Sequence, residues 1–328
     1  PETAEVQAKG VIERIGEPGS PTADHAAAMQ TIQKDLAADG VDLDAIGLRA
    51  VGHRVVHGGP DFSDPTIIDD EVLDEIKDLI PLAPLHNPGA VSGIEAARAE
   101  FDVPHVAIFD TAFFNTLPAA AVTYAIPRDL AQTYRIRRYG FHGTSHHYVS
   151  QVAAELVGRD LGELNQIVLH LGNGCSASAV RGGVAVETSM GLTPLQGLVM
   201  GTRSGDVDPG LHTFLHNELG MTIAEIDTLL NKQSGLKGMA GVNDFRELEE
   251  RRGAGDEAAQ LAFEVYVHRL KHYLGAYSIL LGRLDLLSFT AGVGENNPTL
   301  RAAVVDGLEG LGFLVDPELN AVRSNQAR

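Results

Sequence analysis

Hydrophobic residues follow two patterns along this chain: spacings of three and four residues, as in helices, and short apolar runs, as in strands. Segments of the two kinds alternate, which predicts a mixed α/β protein. Spacings of three and four residues predict helices at 22–40, 69–80, 143–157, 222–235 and 256–284, and a turn leading into a helix across 82–101. Apolar runs predict strands at 11–16, 48–59 and 103–113, three more within 166–190, and a strand, glycine turn and helix across 285–308. We expect Thr22 to cap the first helix, and Thr144 or Ser145 to cap the helix at 143–157.

Composition narrows the class of protein. The chain has 328 residues, of which 44% are hydrophobic and 36 are glycine, which allows a sizeable core and favours two domains, divided near 111–120. The net charge of −19 disfavours nucleic acid and anionic membranes as partners, so an anionic substrate would need a local pocket of cationic side chains. A single cysteine, Cys175, allows no internal disulfide. No apolar run approaches the ~20 residues of a membrane span and no signal peptide is visible, so we expect a cytoplasmic protein.

Two glycine turns are candidates for binding phosphate. Gly172-Asn173-Gly174 joins two predicted strands, where glycines let backbone N–H groups approach an anion, although Asn-Gly is also the usual signal of an ordinary hairpin. Gly292-Val293-Gly294 lies between a strand and a helix, an arrangement on which a nucleotide can lie. The second turn is not G-x-G-x-x-G and the chain has no G-x-x-x-x-G-K-[ST], which argues against the Rossmann and P-loop classes.

Two arginines occupy positions where an anion could bind. Arg54 lies on a predicted strand with Val56 on the same face, and a charge among apolar strand residues needs either a ligand or an ion pair with a strand-end carboxylate. Arg203 lies between glycines, where it can reach a phosphate or pair with the neighbouring Asp206 and Asp208. The sequence leaves both choices open.

Histidines suggest a zinc site as another possibility. His53 and His57 are four residues apart, as are His142 and His146, and on a helix this spacing presents two zinc ligands. The first pair lies in a predicted strand, the second straddles the start of a helix, and the chain lacks H-E-x-x-H. These positions favour an anion site over a zinc site.

Eight motifs in series resemble the acetate kinase family. In chain order they are GHRVVHGG, LAPLHNP, FDTAF, RRYGFHGTSHHYV, HLGNGCSASA, TSMGLTPLQGLVMGTRSGDVDP, SGLKGMAG and FTAGVGEN, and their order and spacing agree over nearly the whole chain. The resemblance implies the superfamily of sugar kinases, actin and heat-shock ATPases. The implied fold is α/β, with two ribonuclease H-like domains of mixed sheets flanked by helices and the active site in the interdomain cleft.

The resemblance also implies an activity and a division of the chain. The implied enzyme is a phosphotransferase with a carboxyl group as acceptor. It transfers the γ-phosphoryl group of ATP to acetate reversibly, giving acetyl phosphate and ADP, with Mg²⁺ or Mn²⁺. We expect an N-terminal, acyl-substrate-side domain at 1–113, a C-terminal nucleotide-binding and dimerisation domain at 114–328, and a homodimer.

Particular residues match the functional positions of the family. The catalytic positions, where cations hold the phosphoryl group and the substrate carboxylate and an aspartate organises an arginine or a metal-bound water, are matched by Arg54, His86, Asp110, His142 and Arg203. The nucleotide-binding positions are matched by His170, Gly172, Asn173, Gly174, Asp244, Phe245, Arg246, Gly292, Val293, Gly294 and Asn296. The small apolar pocket for the acyl methyl group is matched by Val56, Leu85, Phe141 and Pro194.

The sequence also departs from the family pattern. Phe114, Pro60 and Glu187 replace the family's usual histidine, glutamate and aspartate, and we expect them to act around the site rather than in it. The family's N-x-G-S-S-S phosphate loop and its C-terminal metal-site glutamate have no counterpart in these residues. We therefore expect the metal ligands in terminal segments outside this sequence, and we expect a polypeptide of these residues alone to be inactive.

Three other functions remain open from the sequence. A kinase for propionate or butyrate would share the motifs, and one methylene is worth only ~1–3 kcal/mol of discrimination. A non-catalytic nucleotide switch on the same fold would need the glycine turns but not Arg54, Asp110 and His142 together. A zinc hydrolase would use the histidine pairs instead.

Overall fold

The structure of the protein is a computed structural model, which describes residues 6–16, 19–43, 45–84 and 86–322. The chain divides into two compact units, Pro1–Ala112 and Phe113–Arg328. Among the helices of the described ranges, none combines the length and the apolar character needed to cross a membrane.

The first unit is a small sheet covered on one face by helices. Its elements are α1 (His25–Ala38), β1 (Val51–Val55), β2 (Thr66–Ile67), α2 (Asp70–Asp78), a 3₁₀ turn (Ile80–Leu82), α3 (Asn87–Glu100) and β3 (His105–Phe109). The strand order is β1-β3-β2, with β1 parallel and β2 antiparallel to β3. Alternate residues of β1 and β3, among them Val55 and Phe109, pack with apolar residues of α2 and α3 in the core. Arg54 therefore faces away from this core.

The N-terminal part of the first unit corrects two predictions. Residues 11–16 form no strand, and within the described residues the first sheet consists of β1, β3 and β2 alone, so this run has no ladder partner. The first helix begins at His25, and its cap is Asp24, whose carboxylate accepts from the N–H of Ala27, rather than Thr22. Asp24 takes this role because its side chain reaches a backbone N–H that the first helical turn leaves without a partner.

The second unit contains a four-stranded mixed sheet. Its strands are β4 (Asn165–Leu171), β5 (Cys175–Arg181), β6 (Val184–Thr188) and β7 (Leu286–Thr290), in the order β6-β5-β4-β7. β4 is antiparallel to β5 and parallel to β7, and β5 is antiparallel to β6. The helices are α4 (Ala119–Val122), α5 (Arg128–Thr133), α6 (Gly143–Val157), α7 (Gly210–Leu219), α8 (Ile223–Lys232), α9 (Gly235–Ala240), α10 (Phe245–Gly253), α11 (Glu257–Leu281), α12 (Ala291–Asn296), α13 (Pro298–Val305) and α14 (Pro317–Ala321). The 3₁₀ turns are Ala112–Phe114, which spans the division between the units, Leu161–Glu163 and Glu309–Leu311.

Helices cover both faces of this sheet. Successive side chains of β5 point to opposite faces, so Cys175 meets Tyr266 of α11 while Ser176 meets His146 of α6. Residues 175–180 of β5 are all buried, as expected of a strand covered on both sides. The two mixed sheets with flanking helices confirm the predicted α/β class. The covered sheet also explains how side chains of α6 and β5 come together in the candidate site.

Candidate active site

In the first unit, the parallel register of two strands brings a cation and an anion together. Asp110 directly follows β3, and its N–H donates to the carbonyl of Val55 at the end of β1 at 3.0 Å. The Nε of Arg54 donates to Oδ1 of Asp110 at 2.9 Å, and its Nη2 donates to Oδ2 at 2.5 Å. The side chain of Arg54 is 63% exposed, whereas that of Asp110 is 1% exposed.

The ion pair with Asp110 fixes the guanidinium of Arg54 and leaves it exposed to solvent. The hydrogen bonds to Asp110 are the main reason that the pKa of Arg54 is raised above its ordinary value. Of the two alternatives for Arg54, the ion pair with a strand-end carboxylate is observed. Its exposure leaves part of the fork of donors accessible to a ligand as well.

The turn after β1 is anchored by residues that the sequence did not single out. The side chain of Asn87 accepts from the N–H of His57 at 3.2 Å and donates to its carbonyl at 3.1 Å. The N–H of Gly58 donates to the hydroxyl of Thr111 at 3.0 Å. Burial lowers the pKa of His57 to about 4, so this histidine is a neutral part of the turn. The motif LAPLHNP suggested only a turn at Asn87, because its partner lies 30 residues away.

Two other candidate residues of the first unit lie next to the ends of β1 and α3. Val56 follows β1 and is half-buried, and His86 is the exposed residue that precedes α3. Leu85, assigned to the acyl pocket, lies outside the described residues.

In the second unit, the turn Gly172–Gly174 packs against two of the predicted catalytic side chains. A Cβ added to Gly174 would lie 2.7 Å from Nη2 of Arg203 and 3.3 Å from Nε2 and Cε1 of His142. Only glycine allows such an approach, which is the role that glycines have in turns that meet phosphate. The carbonyl of Asn173 accepts from the N–H of Gly201 at 3.0 Å and so ties the arginine loop to the turn.

Arg203 is held by the backbone rather than by acidic neighbours. Its Nη1 donates to the carbonyl of Pro194 at 2.7 Å, and burial lowers its pKa from the ordinary value. Asp206 accepts instead from the N–H of Gly197 at 3.0 Å, and Asp208 accepts from the N–H of Gly210 at 2.7 Å. The predicted alternative, an exposed arginine paired with these two aspartates, is therefore not what the structure shows.

His142 directly precedes α6 and has a left-handed backbone conformation, with φ of 59° and ψ of 24°. It makes no side-chain cap bond, and neither do Thr144 and Ser145, so the predicted caps of this helix were wrong. The hydroxyl of Ser145 lies instead 2.8 Å from Nδ1 of His170, whose ring stacks on that of His142 at 4.2 Å. A non-glycine residue in this conformation costs free energy that the surrounding contacts must offset.

The two histidines of the second pair share one serine. Ser176 Oγ lies 2.8 Å from Nδ1 of His142 and 2.7 Å from Nε2 of His146. Within the described ranges, no three side chains of the His, Cys, Asp and Glu types gather closely enough to hold a metal ion. We therefore name no metal ligand among these residues.

The remaining predicted nucleotide-binding residues lie at two helices, α10 and α12. Asp244 precedes α10 and pairs with Arg246, and this contact is the main reason that the pKa of Asp244 is lowered to about 2. Phe245 is 6% exposed and packs against Tyr266 and Phe263, so its ring belongs to the core. Four further candidates, Gly292, Val293, Gly294 and Asn296, lie on α12, directly after β7.

The other candidates and departures lie among buried residues. Phe141 is 1% exposed and Pro194 is half-buried. Phe114 is fully buried, with its ring edge-on to His146 at 5.6 Å. Glu187 lies 3.7 Å from Nε of Arg138, and burial raises its pKa.

Comparisons with known proteins agree with these motifs. The profile of the acetokinase family matches residues 5–328. An acetate kinase from Streptomyces avermitilis is 56% identical over 98% of this chain and 84% of its own length. The crystal structure of Porphyromonas gingivalis acetate kinase superposes with a TM-score of 0.90 at 42% identity, covering 95% of this chain and 84% of that one. A propionate kinase from Francisella tularensis superposes with a TM-score of 0.87 at 44% identity, covering 92% of this chain and 77% of that one.

These matches extend over nearly the whole chain and include the segments between the motifs that suggested the family. A profile match of this length, together with relatives above half identity, confirms the resemblance seen in the sequence. The chain belongs to the acetokinase family.

Proposed function

We propose that this protein is an acetate kinase, which transfers the γ-phosphoryl group of ATP to acetate in a reversible reaction. A carboxylate oxygen of acetate attacks the γ-phosphorus, the bond from phosphorus to the bridging oxygen of ADP breaks, and acetyl phosphate and ADP form. The nucleophile is already ionised, so no general base is required. The task of the protein is to bring two anions together and hold them in line.

The observation that carries this proposal is the approach of Arg203 and His142 to the Gly172–Gly174 turn. A guanidinium and an imidazole beside a glycine turn provide hydrogen-bond donors for a phosphoryl group. The chain carries a net charge of −19, so a half-buried arginine that forms no ion pair with an aspartate within the described residues is a local exception. Such an exception is what an anionic substrate requires.

Arg54 is proposed to grip the substrate carboxylate or the transferring phosphoryl group. Asp110 then acts as a positioning residue, because both of its oxygens bind the arginine and its side chain is 1% exposed. This placement disfavours Asp110 as a nucleophile that forms a covalent phospho-aspartate, since both oxygens bind the arginine and the side chain is buried. His86 remains a proposed contact of the phosphoryl group.

The proposed nucleotide site lies in the second unit. It consists of His170, the Gly172–Gly174 turn, the outer surface of α10 at Asp244 and Arg246, and α12. Val56, Leu85, Phe141 and Pro194 remain proposed contacts of the acyl methyl group. We propose Mg²⁺, or Mn²⁺, as the metal that accompanies the nucleotide phosphates.

We also propose a homodimer to which α11 contributes. Ile279 is 83% exposed and Leu280 is 53% exposed near the end of this helix, and apolar side chains are enriched in the core of homodimer interfaces. Light scattering of the full-length protein, coupled to gel filtration, gives its mass directly. A monomer at micromolar concentration would contradict this part of the proposal. Cytoplasmic location remains a proposal that rests on the single cysteine.

The activity is tested by trapping acetyl phosphate as its hydroxamate with the full-length protein. We expect Arg54→Ala and Arg203→Ala each to lower kcat by roughly 10²-fold or more, because each removes a charged contact to the transferring group. Arg283→Ala is the matched control, since Arg283 is also 63% exposed and also pairs with an aspartate. Near-normal kcat in either of the first two variants would contradict the assignment.

Propionate kinase is the alternative, and the similarity to the Francisella tularensis propionate kinase favours it. The two acids differ by one methylene, so the pocket discriminates between them by only ~1–3 kcal/mol. Values of kcat/KM for acetate, propionate and butyrate, measured side by side, decide the preferred acyl chain. A higher value for propionate than for acetate would replace our assignment with the alternative.

A further inference from the structure

A chain of hydrogen bonds leads from His142 into the interior of the second unit. Ser176 bridges Nδ1 of His142 at 2.8 Å and Nε2 of His146 at 2.7 Å. The other nitrogen of the same ring, His146 Nδ1, lies 2.7 Å from Oγ of Ser178. Ser176 and Ser178 are two residues apart on β5, so both hydroxyls point to the face that α6 covers. His146 and both serines are fully buried.

The number of protons limits how this chain can be arranged. The hydroxyl of Ser176 has one proton and meets two nitrogens, so one of those nitrogens must donate to it. Burial lowers the pKa of His146 to about 3, so near neutral pH this ring is uncharged and carries a single proton. Two arrangements satisfy both conditions and also give the proton of Ser176 an acceptor: the donors point from Ser178 toward His142, or they point from His142 toward Ser178.

The end of the hydrogen-bond chain at Ser178 distinguishes the two directions. If the donors point toward His142, Ser178 donates to Nδ1 of His146 and every hydroxyl proton has an acceptor. In the reverse direction His146 donates to Ser178, whose own proton then needs another acceptor. Among the described residues, the ring of His146 is the only hydrogen-bond partner of the Ser178 side chain. A buried donor without an acceptor is costly enough to favour the first direction by roughly tenfold or more.

We propose that Ser178, His146 and Ser176 are positioning residues that hold His142 in the tautomer with its proton on Nε2. In this tautomer Nδ1 of His142 accepts from Ser176, and the Nε2–H lies on the side of Gly174. The catalytic consequence rests on the proposed function: oxygens of a phosphoryl group are acceptors, and a neutral histidine with a bare Nε2 would offer them no donor.

Within the part of the chain that the structure describes, three titratable or charged groups face His142 from the elements packed against it. They are the ring of His170 on β4, the ring of His146 on α6 and the guanidinium of Arg203 from the glycine loop. Arg203 is positively charged, so it disfavours a second proton on His142. The charge of Arg203 therefore favours the neutral form of the ring, and the direction of the hydrogen-bond chain selects the tautomer.

The chain couples two histidines in a way that a merely structural role would not. A proton taken up at Nδ1 of His142 makes this nitrogen a donor to Ser176. For the proton of Ser176 to keep an acceptor, its hydroxyl then turns to Nε2 of His146, whose own proton moves to Nδ1. His146 should therefore change tautomer over the pH range in which His142 becomes charged, although His146 itself stays neutral.

Long-range ¹H–¹⁵N spectra of the histidine side chains in the full-length protein test this directly. We expect both His142 and His146 in the Nε2–H form at neutral pH, and a tautomer change of His146 when His142 takes up a proton. In Ser176→Ala the coupling should disappear. In Ser145→Ala, which removes the hydroxyl at His170 instead, the coupling should persist.

Three outcomes would overturn the proposal. They are an Nδ1–H form of either ring at neutral pH, a His146 tautomer that does not respond to the charge on His142, and coupling that survives in Ser176→Ala. The first two come from the unaltered protein, so the test holds even if the variant fails to fold. The spectra need no substrate. Failure of the proposed function would appear separately, as normal tautomers without acetyl phosphate formation.

Discussion

Replacement of Gly174 by alanine tests the central geometry of the candidate site. The added Cβ would lie 2.7 Å from Nη2 of Arg203, whereas an ordinary contact between such atoms is about 3.5 Å. The guanidinium must therefore retreat by roughly 0.8 Å to make room. Its Nη1 is bound to the carbonyl of Pro194 at 2.7 Å, so the retreat also strains or breaks that hydrogen bond.

We expect Gly174→Ala to lower kcat by on the order of 10²-fold, since a misplacement of about 1 Å in a positioning group can cost that much. Stability should change little, because Gly174 has no left-handed backbone conformation and the clash meets the end of a flexible side chain. The assay is hydroxamate formation with the full-length protein, together with its melting temperature.

Gly253→Ala is the matched control for this variant. Gly253 ends α10, and a Cβ there meets nothing within 4 Å, so kcat should stay near that of the unaltered protein. If Gly174→Ala is folded and retains kcat within about threefold, the argument from close packing is refuted. A loss of kcat accompanied by unfolding would likewise contradict the expected local effect.

Three further variants test the ion pair of Arg54 and Asp110, the buried His146 and the tight turn at Gly140. Asp110→Asn should lower kcat roughly tenfold or more at a stability cost of about 1 kcal/mol, because Arg54 loses its charged anchor but stays solvated. His146 stays neutral in the fold down to about pH 3 but accepts a proton near pH 6.5 when unfolded. Stability should therefore fall as pH drops from 6.5, by up to about 1.4 kcal/mol per pH unit for this residue, and His146→Gln should reduce that slope in melting scans. Gly140→Ala should cost several kcal/mol, since its φ is 76° and the Cβ would lie 2.5 Å from a buried aromatic ring, whereas Gly255→Ala, with φ of 86° in open space, should cost about 1 kcal/mol.

Each of these expectations has a result that would contradict it. Unchanged kcat in Asp110→Asn would mean that the ion pair does not position Arg54 for the reaction. If stability falls equally steeply with decreasing pH in the unaltered protein and in His146→Gln, groups other than His146 take up the protons on unfolding. Equal melting temperatures for Gly140→Ala and Gly255→Ala would show that the fold relaxes around the first site.

Most of the element order was predictable because it depends on local patterns. The helix at 143–157 and the strands within 166–190 follow from hydrophobic periodicity and from glycine turns, and the structure contains them. Helix caps were less predictable: the first helix is capped by Asp24, and the residue before α6 is His142 in a left-handed conformation. In α6 the serine and threonine preference was overridden by contacts of the histidine ring with distant strands.

The candidate site was predictable as a set of residues but not as an arrangement. Motifs marked Arg54, Asp110, His142 and Arg203, because each lies at a strand end, a helix start or a glycine loop. The sequence could not choose a partner for either arginine. The hydrogen-bond chain through Ser176, His146 and Ser178 was not predicted either, since serines on a buried strand have no distinctive sequence pattern.

The sequence by itself determined the family, the α/β class and the residue types available for phosphoryl transfer. Only the tertiary structure decided which of them meet. Arg54 reaches Asp110 across 56 positions of chain through the register of two parallel strands. Ser176 joins two histidines some 30 positions away, His142 directly before α6 and His146 on it. These contacts form because side-chain direction and strand register are set by packing of the whole sheet, which no local pattern specifies.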